Sequence, residues 1–181
     1  MTSLDALNRA SKEEFVTILS GIFEHSPWVP ERAASRRPFT SVRQLHAAMA
    51  AAADAADADT QMTLIRAHPE LAGRAAIRGE LTAASASEQN GAGLSACTPE
   101  QFARLQKLNA EYGRRFGFPF IIAVKGHTPD TVIAAMASRI EHDAGTERRT
   151  ALEQISRIAR FRLEELVQDD AGSEILSRAD E

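Results

Sequence analysis

One cysteine in 181 residues, Cys97, excludes an internal disulfide and any metal cluster built on several thiolates. A reducing compartment suits such a chain. Long apolar runs are missing as well: no stretch approaches the roughly 20 apolar residues that span a bilayer. The N-terminus, Met1-Thr2-Ser3-Leu4-Asp5, has no basic segment leading into an apolar one, so no signal peptide is expected. Arg178-Ala179-Asp180-Glu181 is not a peroxisomal Ser-Lys-Leu address, and the expected location is the cytoplasm, without a membrane partner. An excess of positive charge is absent too. Lys and Arg number 21 against 25 Asp and Glu, a net charge of -4, which argues against nucleic acid as a partner. Neither a Gly-rich phosphate loop nor an internal repeat is present.

What the chain does have is helical periodicity almost throughout. Ser11-Lys12-Glu13-Glu14 reads as a capping box, followed by Phe15, Ile18, Leu19, Ile22 and Phe23 at the spacing of one helical face. Glu24 to Pro30 reads as a loop, with Pro30 able to start a short helix. Ser41 is the expected cap of a helix through Val42, Leu45 and Met49, and the Ala/Asp-rich residues 47–58 read as its end and a solvated junction. Asp59 or Thr60 is expected to cap the helix that carries Leu64 and Ile65 and leads to His68. Thr98-Pro99 and Thr128-Pro129 each combine a cap with a proline in the first helical position, and Gly117 closes the helix that Thr98 opens. A last long helix follows Gly145-Thr146. The class is all-α: a helical bundle of about seven to nine helices, forming one domain over residues 1–170 with a polar tail at 171–181. Phe118 to Val124 is the exception. It is a short apolar run with no partner strand, best read as a buried extended segment.

Three polar residues stand in apolar surroundings. With Leu152 at zero and 100° per residue, Arg162 falls at about 280°, between Ile158 at about 240° and Ile155 at about 300°. Such an arginine either snorkels or pairs with a buried carboxylate, or it binds an anion in a pocket. His68 ends an apolar helical face just before Pro69 and is either a satisfied core histidine or a general acid–base. Glu88 completes Ser85-x-x-Glu88, a capping box by pattern, although a helix N-terminus beside a Gly-rich turn also offers N–H groups to a small anion. The five histidines show no i, i+4 pairing, so no metal is expected.

The segments Phe23-Glu24-His25-Ser26-Pro27-Trp28-Val29, His68-Pro69-Glu70-Leu71-Ala72-Gly73, Ser85-x-x-Glu88-Gln89-x-Gly91-Ala92-Gly93-Leu94, Phe116-Gly117-Phe118-Pro119-Phe120 and Arg162-Leu163 occur in this order. Together they resemble the 2-oxo-4-hydroxy-4-carboxy-5-ureidoimidazoline (OHCU) decarboxylase family over nearly the whole chain. The resemblance implies an all-α fold, often dimeric, that acts on the unstable product of urate oxidation and hydrolysis and yields S-allantoin and CO2. It further implies that His68 is the main catalytic residue, helped by Glu88 and Arg162. Pro69, the Ser85-Ala86-Ser87-Glu88-Gln89 turn and the segment Phe120, Ile121, Ile122, Ala123 and Val124 would line the substrate. The orphan run then has a use, because its free backbone groups can bind a ureide or imidazoline ring.

Many decarboxylases need pyridoxal or thiamine to hold the electron pair that CO2 leaves behind. Here a ring C=N bond beside the carboxylated carbon can accept that pair, so no cofactor is expected. Arg162 is the candidate anion clamp, His68 the proton donor, and Glu88 the group that orients the substrate hydroxyl or the imidazole. Two other classes compete: a non-catalytic helical module that binds ureides or purines, and a metal-dependent ureide hydrolase using His68. A DNA-binding repressor fits least, given the acidic balance.

Overall fold

The computed structural model describes residues 1–169; the polar tail expected at 171–181 lies outside the described residues. Within the span read as one helical domain, the chain groups into two compact units. One comprises Met1–Gln61 with the described residues from Ser156 to Asp169, the other Met62–Ile155. The described residues form ten α-helices, two 3₁₀ turns and two strands of two residues each, so the all-α expectation holds. No described helix is long and apolar enough to cross a membrane.

The first unit holds α1 (Leu4–Arg9), α2 (Lys12–Leu19), α3 (Trp28–Ala33) and α4 (Val42–Asp54), with part of α5 (Ala58–Arg66) and the end of α10 (Ala144–Leu166). Its core is built from Leu4, Leu7, Phe15, Leu19, Val29, Leu45, Met49 and Leu163, all removed from water. The α2 start is the expected capping box, in which the Ser11 hydroxyl accepts from the Glu14 N–H while the Glu14 carboxylate accepts from the Ser11 N–H. Ser41 caps α4 as expected. That helix runs on through most of the alanine-rich stretch, because Ala48, Ala52 and Ala53 are buried rather than solvated. The α5 cap is Asp57, whose carboxylate accepts from the Thr60 N–H at 2.9 Å, rather than Asp59 or Thr60. Pro30 lies inside α3, which already begins at Trp28. A parallel ladder of β1 (Thr2–Ser3) with β2 (Val167–Gln168) joins the two chain segments of this unit.

In the second unit, α6 (Arg74–Arg78), α7 (Ala83–Gly91), α8 (Pro99–Phe116) and α9 (Pro129–Arg139) join the remainder of α5 and α10. Thr98 and Thr128 cap α8 and α9 with proline in the first turn, as the sequence suggested. The last helix starts before Gly145: Asp143 caps it, accepting from the Thr146 N–H at 2.9 Å. The α8 helix packs against α9, and its last turn presents Tyr112 to an aromatic cluster. The Tyr112 ring lies 4.6 Å from Phe116, 5.9 Å from Phe118 and 5.3 Å from Phe120, the last two edge-on. Each such pair contributes about 0.5–1.5 kcal/mol beyond area burial. The reversal between α8 and this apolar run requires Gly117, which sits at φ +74° with its N–H donating to the Gly113 carbonyl.

A Cβ at residue 117 meets only the Arg66 guanidinium, at 3.6 Å, so the penalty for Gly117→Ala is conformational rather than steric. We expect a loss of about 1–2 kcal/mol, read as a lower urea midpoint at unchanged slope.

Candidate functional site

His68 follows the last turn of α5 and is 7% exposed. A helix C-terminus leaves carbonyls without intrahelical donors, and the His68 ring uses one: Nδ1 donates to the Leu64 carbonyl at 3.0 Å. A carbonyl can only accept, so in this contact the ring proton is placed on Nδ1.

The loop after His68 is held by side-chain amides. Ala72 has φ +50°, a left-handed conformation that costs a non-glycine residue energy unless its surroundings enforce it. Here they do: its N–H donates to the Gln89 side-chain carbonyl at 2.9 Å, and its C=O accepts from Gln106 at 2.7 Å. Asn109 donates to the Leu71 carbonyl at 2.9 Å. Gly73 closes the turn so tightly that a Cβ there would lie 2.6 Å from Glu70 Cβ. The His-Pro-Glu-Leu-Ala-Gly block is therefore a turn clamped onto α7 and α8.

The Ser85 to Gln89 stretch is not the expected turn but the body of α7. Thr82, not Ser85, is the cap, its hydroxyl accepting from the Ser85 N–H at 3.3 Å. Ser85 and Gln89, one helical turn apart, are buried; Ala86 and Glu88 are half-buried and Ser87 is exposed. Gln89 spends its side chain on the Ala72 peptide, which ties α7 to the loop that follows His68. A cavity of about 380 Å³ opens beside this junction, lined by Ala72, Ala86, Gln89, Leu94 and Phe102 among others.

The run Phe120 to Val124 is buried and carries no helix or ladder, as expected. Not all its backbone is free, however. Arg139 Nη1 donates to the Ile121 carbonyl at 2.7 Å, the Ala123 N–H donates to Gln154 Oε1 at 2.9 Å, and the Val124 carbonyl accepts from the His127 N–H at 2.9 Å. Among the described residues, neither the N–H nor the C=O of Ile122 has a hydrogen-bond partner.

Behind this run lies a buried polar cluster that the sequence reading missed. Glu147, on the first turn of α10, has no exposure to water. Its Oε1 accepts from Arg139 Nε at 2.9 Å and Nη2 at 2.5 Å and from the Tyr112 hydroxyl; its Oε2 accepts from His142 Nδ1 at 2.8 Å. Burial, and then the adjacent Glu147 carboxylate, push the Tyr112 hydroxyl well above the ordinary phenol range. The helical wheel held a clue to Glu147, which falls at about 220° from Leu152, at the edge of the apolar arc.

Arg162 belongs to the other unit. There its Nη1 donates to Glu24 Oε2 at 2.7 Å and to the Gly21 carbonyl at 3.0 Å, with both side chains nearly excluded from water. Of the alternatives the wheel left open, pairing with a buried carboxylate is present in the geometry. Glu24 lies inside the Phe23-Glu24-His25-Ser26-Pro27 block, but nothing in its spacing marked it as the partner.

A family profile described as OHCU decarboxylase matches residues 8–164. A Haloferax volcanii protein named 2-oxo-4-hydroxy-4-carboxy-5-ureidoimidazoline decarboxylase is 45% identical over 90% of this chain and 95% of its own length. A Halalkalicoccus jeotgali protein of the same name is 43% identical over 91% of each. Among solved structures, one described as (S)-allantoin synthase superposes with a TM-score of 0.75 at 30% identity, covering 92% of this chain and 54% of that one.

Breaking the Glu24–Arg162 pair from one side leaves a buried charge. Glu24→Ala is expected to cost about 3–5 kcal/mol, and the double variant Glu24→Ala/Arg162→Ala less than the sum of the two single losses. Chemical denaturation of the three variants measures this coupling; additive losses would contradict it.

Proposed function

The chain belongs to the OHCU decarboxylase family, and from that premise we propose that it converts 2-oxo-4-hydroxy-4-carboxy-5-ureidoimidazoline to (S)-allantoin and CO2. The observation that carries the reading is the family match across residues 8–164, a span that includes every residue assigned a role below.

Loss of CO2 breaks the bond between the ring carbon and its carboxylate. The electron pair becomes a carbon–carbon double bond to the neighbouring ring carbon, whose C=N bond passes its own pair to nitrogen. Nitrogen takes a proton. Tautomerisation then removes the hydroxyl proton and adds a proton to the ureido-bearing carbon. The substrate thus supplies its own electron sink, and neither cofactor nor metal is required. The protein holds the carboxylate out of the ring plane, stabilises charge and delivers the carbon-bound proton to one face.

His68 is the proton-transfer residue, acting through Nε2 because Nδ1 is committed to the Leu64 carbonyl. A neutral His68 of this tautomer accepts the hydroxyl proton, and the resulting imidazolium is the donor to carbon. Glu88 orients the hydroxyl or the imidazole. Arg162, its guanidinium anchored by Glu24 and Gly21, is the carboxylate clamp. The N–H and C=O of Ile122 suit a ureide, which presents an acceptor and a donor of its own. Phe120, Ile121, Ala123 and Val124 shape the wall around it. Pro69, Ser85, Ala86, Ser87 and Gln89 line the substrate, and Gln89 also holds the loop that follows His68. Assembly as a homodimer in the cytoplasm completes the proposal.

Fresh OHCU incubated with the protein and a chelator is expected to give (S)-allantoin well above the spontaneous rate, followed by circular dichroism. Racemic allantoin at the background rate would refute the assignment, and activity abolished by chelator but restored by metal would favour the hydrolase class instead.

His68→Asn is expected to retain its helical spectrum and to lose on the order of 10²–10⁴-fold in turnover. Should the variant unfold while its surviving folded fraction turns over normally, His68 is a core residue and not the proton carrier.

A further inference from the structure

We propose that Arg139 and Gln154 are positioning residues for the reaction: they grip the two peptide groups that flank Ile122 and so aim its N–H and C=O at the substrate, with Glu147 holding Arg139 in place. The proposal rests on the reading that the Phe120 to Val124 run lines the substrate.

The geometry follows from the planarity of the peptide. Among the described residues, only the Arg37–Pro38 bond is cis, so the Ile121–Ile122 and Ile122–Ala123 peptides are trans. In a trans peptide the C=O and N–H point in opposite directions. Arg139 draws the Ile121 carbonyl toward itself at 2.7 Å, so the Ile122 N–H is directed away from Arg139. Gln154 draws the Ala123 N–H toward itself at 2.9 Å, so the Ile122 C=O is directed away from Gln154. Two side chains thereby set both hydrogen-bonding groups of one buried residue, and among the described residues those two groups alone in the Ile121–Ala123 peptide pair have no partner within the protein. A buried donor and acceptor left open in this way call for a ligand.

The remainder of the cluster serves to immobilise Arg139. Its Nε and Nη2 are taken by Glu147, its guanidinium carbon lies 4.4 Å from the Phe120 ring centroid, and Nη1 alone is left for the Ile121 carbonyl. Tyr112 donates to the same Oε1 and His142 to Oε2, so both oxygens of the Glu147 carboxylate are held. Burying a carboxylate and a guanidinium is a costly way to achieve stability alone, since apolar residues of the same volume often do as well or better. What apolar residues cannot do is pull one chosen carbonyl into one direction.

Arg139→Lys keeps the charge near Glu147 but lacks the planar fork that reaches carboxylate and carbonyl together. Gln154→Leu removes the acceptor for the Ala123 N–H at similar size, and Gln154→Glu retains an acceptor oxygen. Each variant is compared with the wild type for kcat, KM and the enantiomeric composition of allantoin formed from OHCU. We expect Arg139→Lys and Gln154→Leu to lose about tenfold or more in kcat/KM and to yield a lower excess of the S enantiomer, with Gln154→Glu recovering most of both. Variants that melt at lower temperature yet keep wild-type kcat/KM and enantiomeric excess per folded molecule overturn the proposal alone. A wild-type protein without activity on OHCU removes its premise as well. If Arg139→Lys fails to fold, the Gln154 pair carries the test.

Discussion

A carboxylate with no access to water must have its lone pairs filled, and the second unit is organised around the way Glu147 meets that demand. Its donors come from three places in the chain: Tyr112 on α8, Arg139 at the end of α9, and His142 in the turn before α10. Each donor carries a further consequence. Tyr112 brings the ring on which Phe118 and Phe120 rest edge-on, and Arg139 brings the guanidinium that covers Phe120 and holds the Ile121 carbonyl. Removing Glu147 would leave the Arg139 guanidinium buried without its carboxylate, which is the costly case for buried charge. The helix ends and the irregular run are thus tied to one point.

The same device, a polar side chain bonded to backbone that lies outside any helix, recurs at several non-repetitive points among the described residues. Ala72 is kept left-handed by Gln89 and Gln106, Leu71 is held by Asn109, and Ala123 by Gln154. In the first unit, Arg162 closes the turn after α2 through the Gly21 carbonyl while pairing with Glu24. Glutamine and asparagine suit this work because each offers both a donor and an acceptor without the desolvation cost of a charge. Gln89, expected from the sequence to line the substrate, also supports the loop behind His68 in this way.

Local rules accounted for the features whose causes are local. The capping box at Ser11, the Thr98 cap, the proline starts at Pro99 and Pro129 and the glycine stop at Gly117 are each decided within four or five residues, and each stands where the local signals put it. Local rules failed where a competing local cap won. Asp57 displaced Asp59 and Thr60, Thr82 displaced Ser85, and Asp143 opened α10 ahead of Gly145, because an aspartate or threonine further upstream caps each helix earlier, its side chain accepting from the N–H three residues on. The alanine-rich stretch looked solvated because alanine is ambiguous; burial of Ala48, Ala52 and Ala53 made it helix core.

By itself the sequence determined the helical class, the isolation of the Phe118 to Val124 run, and the family to which His68, Glu88 and Arg162 tie the chain, because periodicity, caps and short motifs are written in neighbouring residues. Only the tertiary structure decided which partners those residues take. Glu24 and Arg162 are 138 positions apart and Arg139 and Ile121 are 18 apart, and no pattern of spacing along the chain encodes a hydrogen bond across such separations. The tautomer of His68 depends on a carbonyl that is orphaned only once α5 ends at that turn. Likewise, the directions in which the Ile122 N–H and C=O point became defined only when Arg139 and Gln154 met the peptides on either side, since a chain segment without a ladder has no preferred orientation until the surrounding fold supplies one.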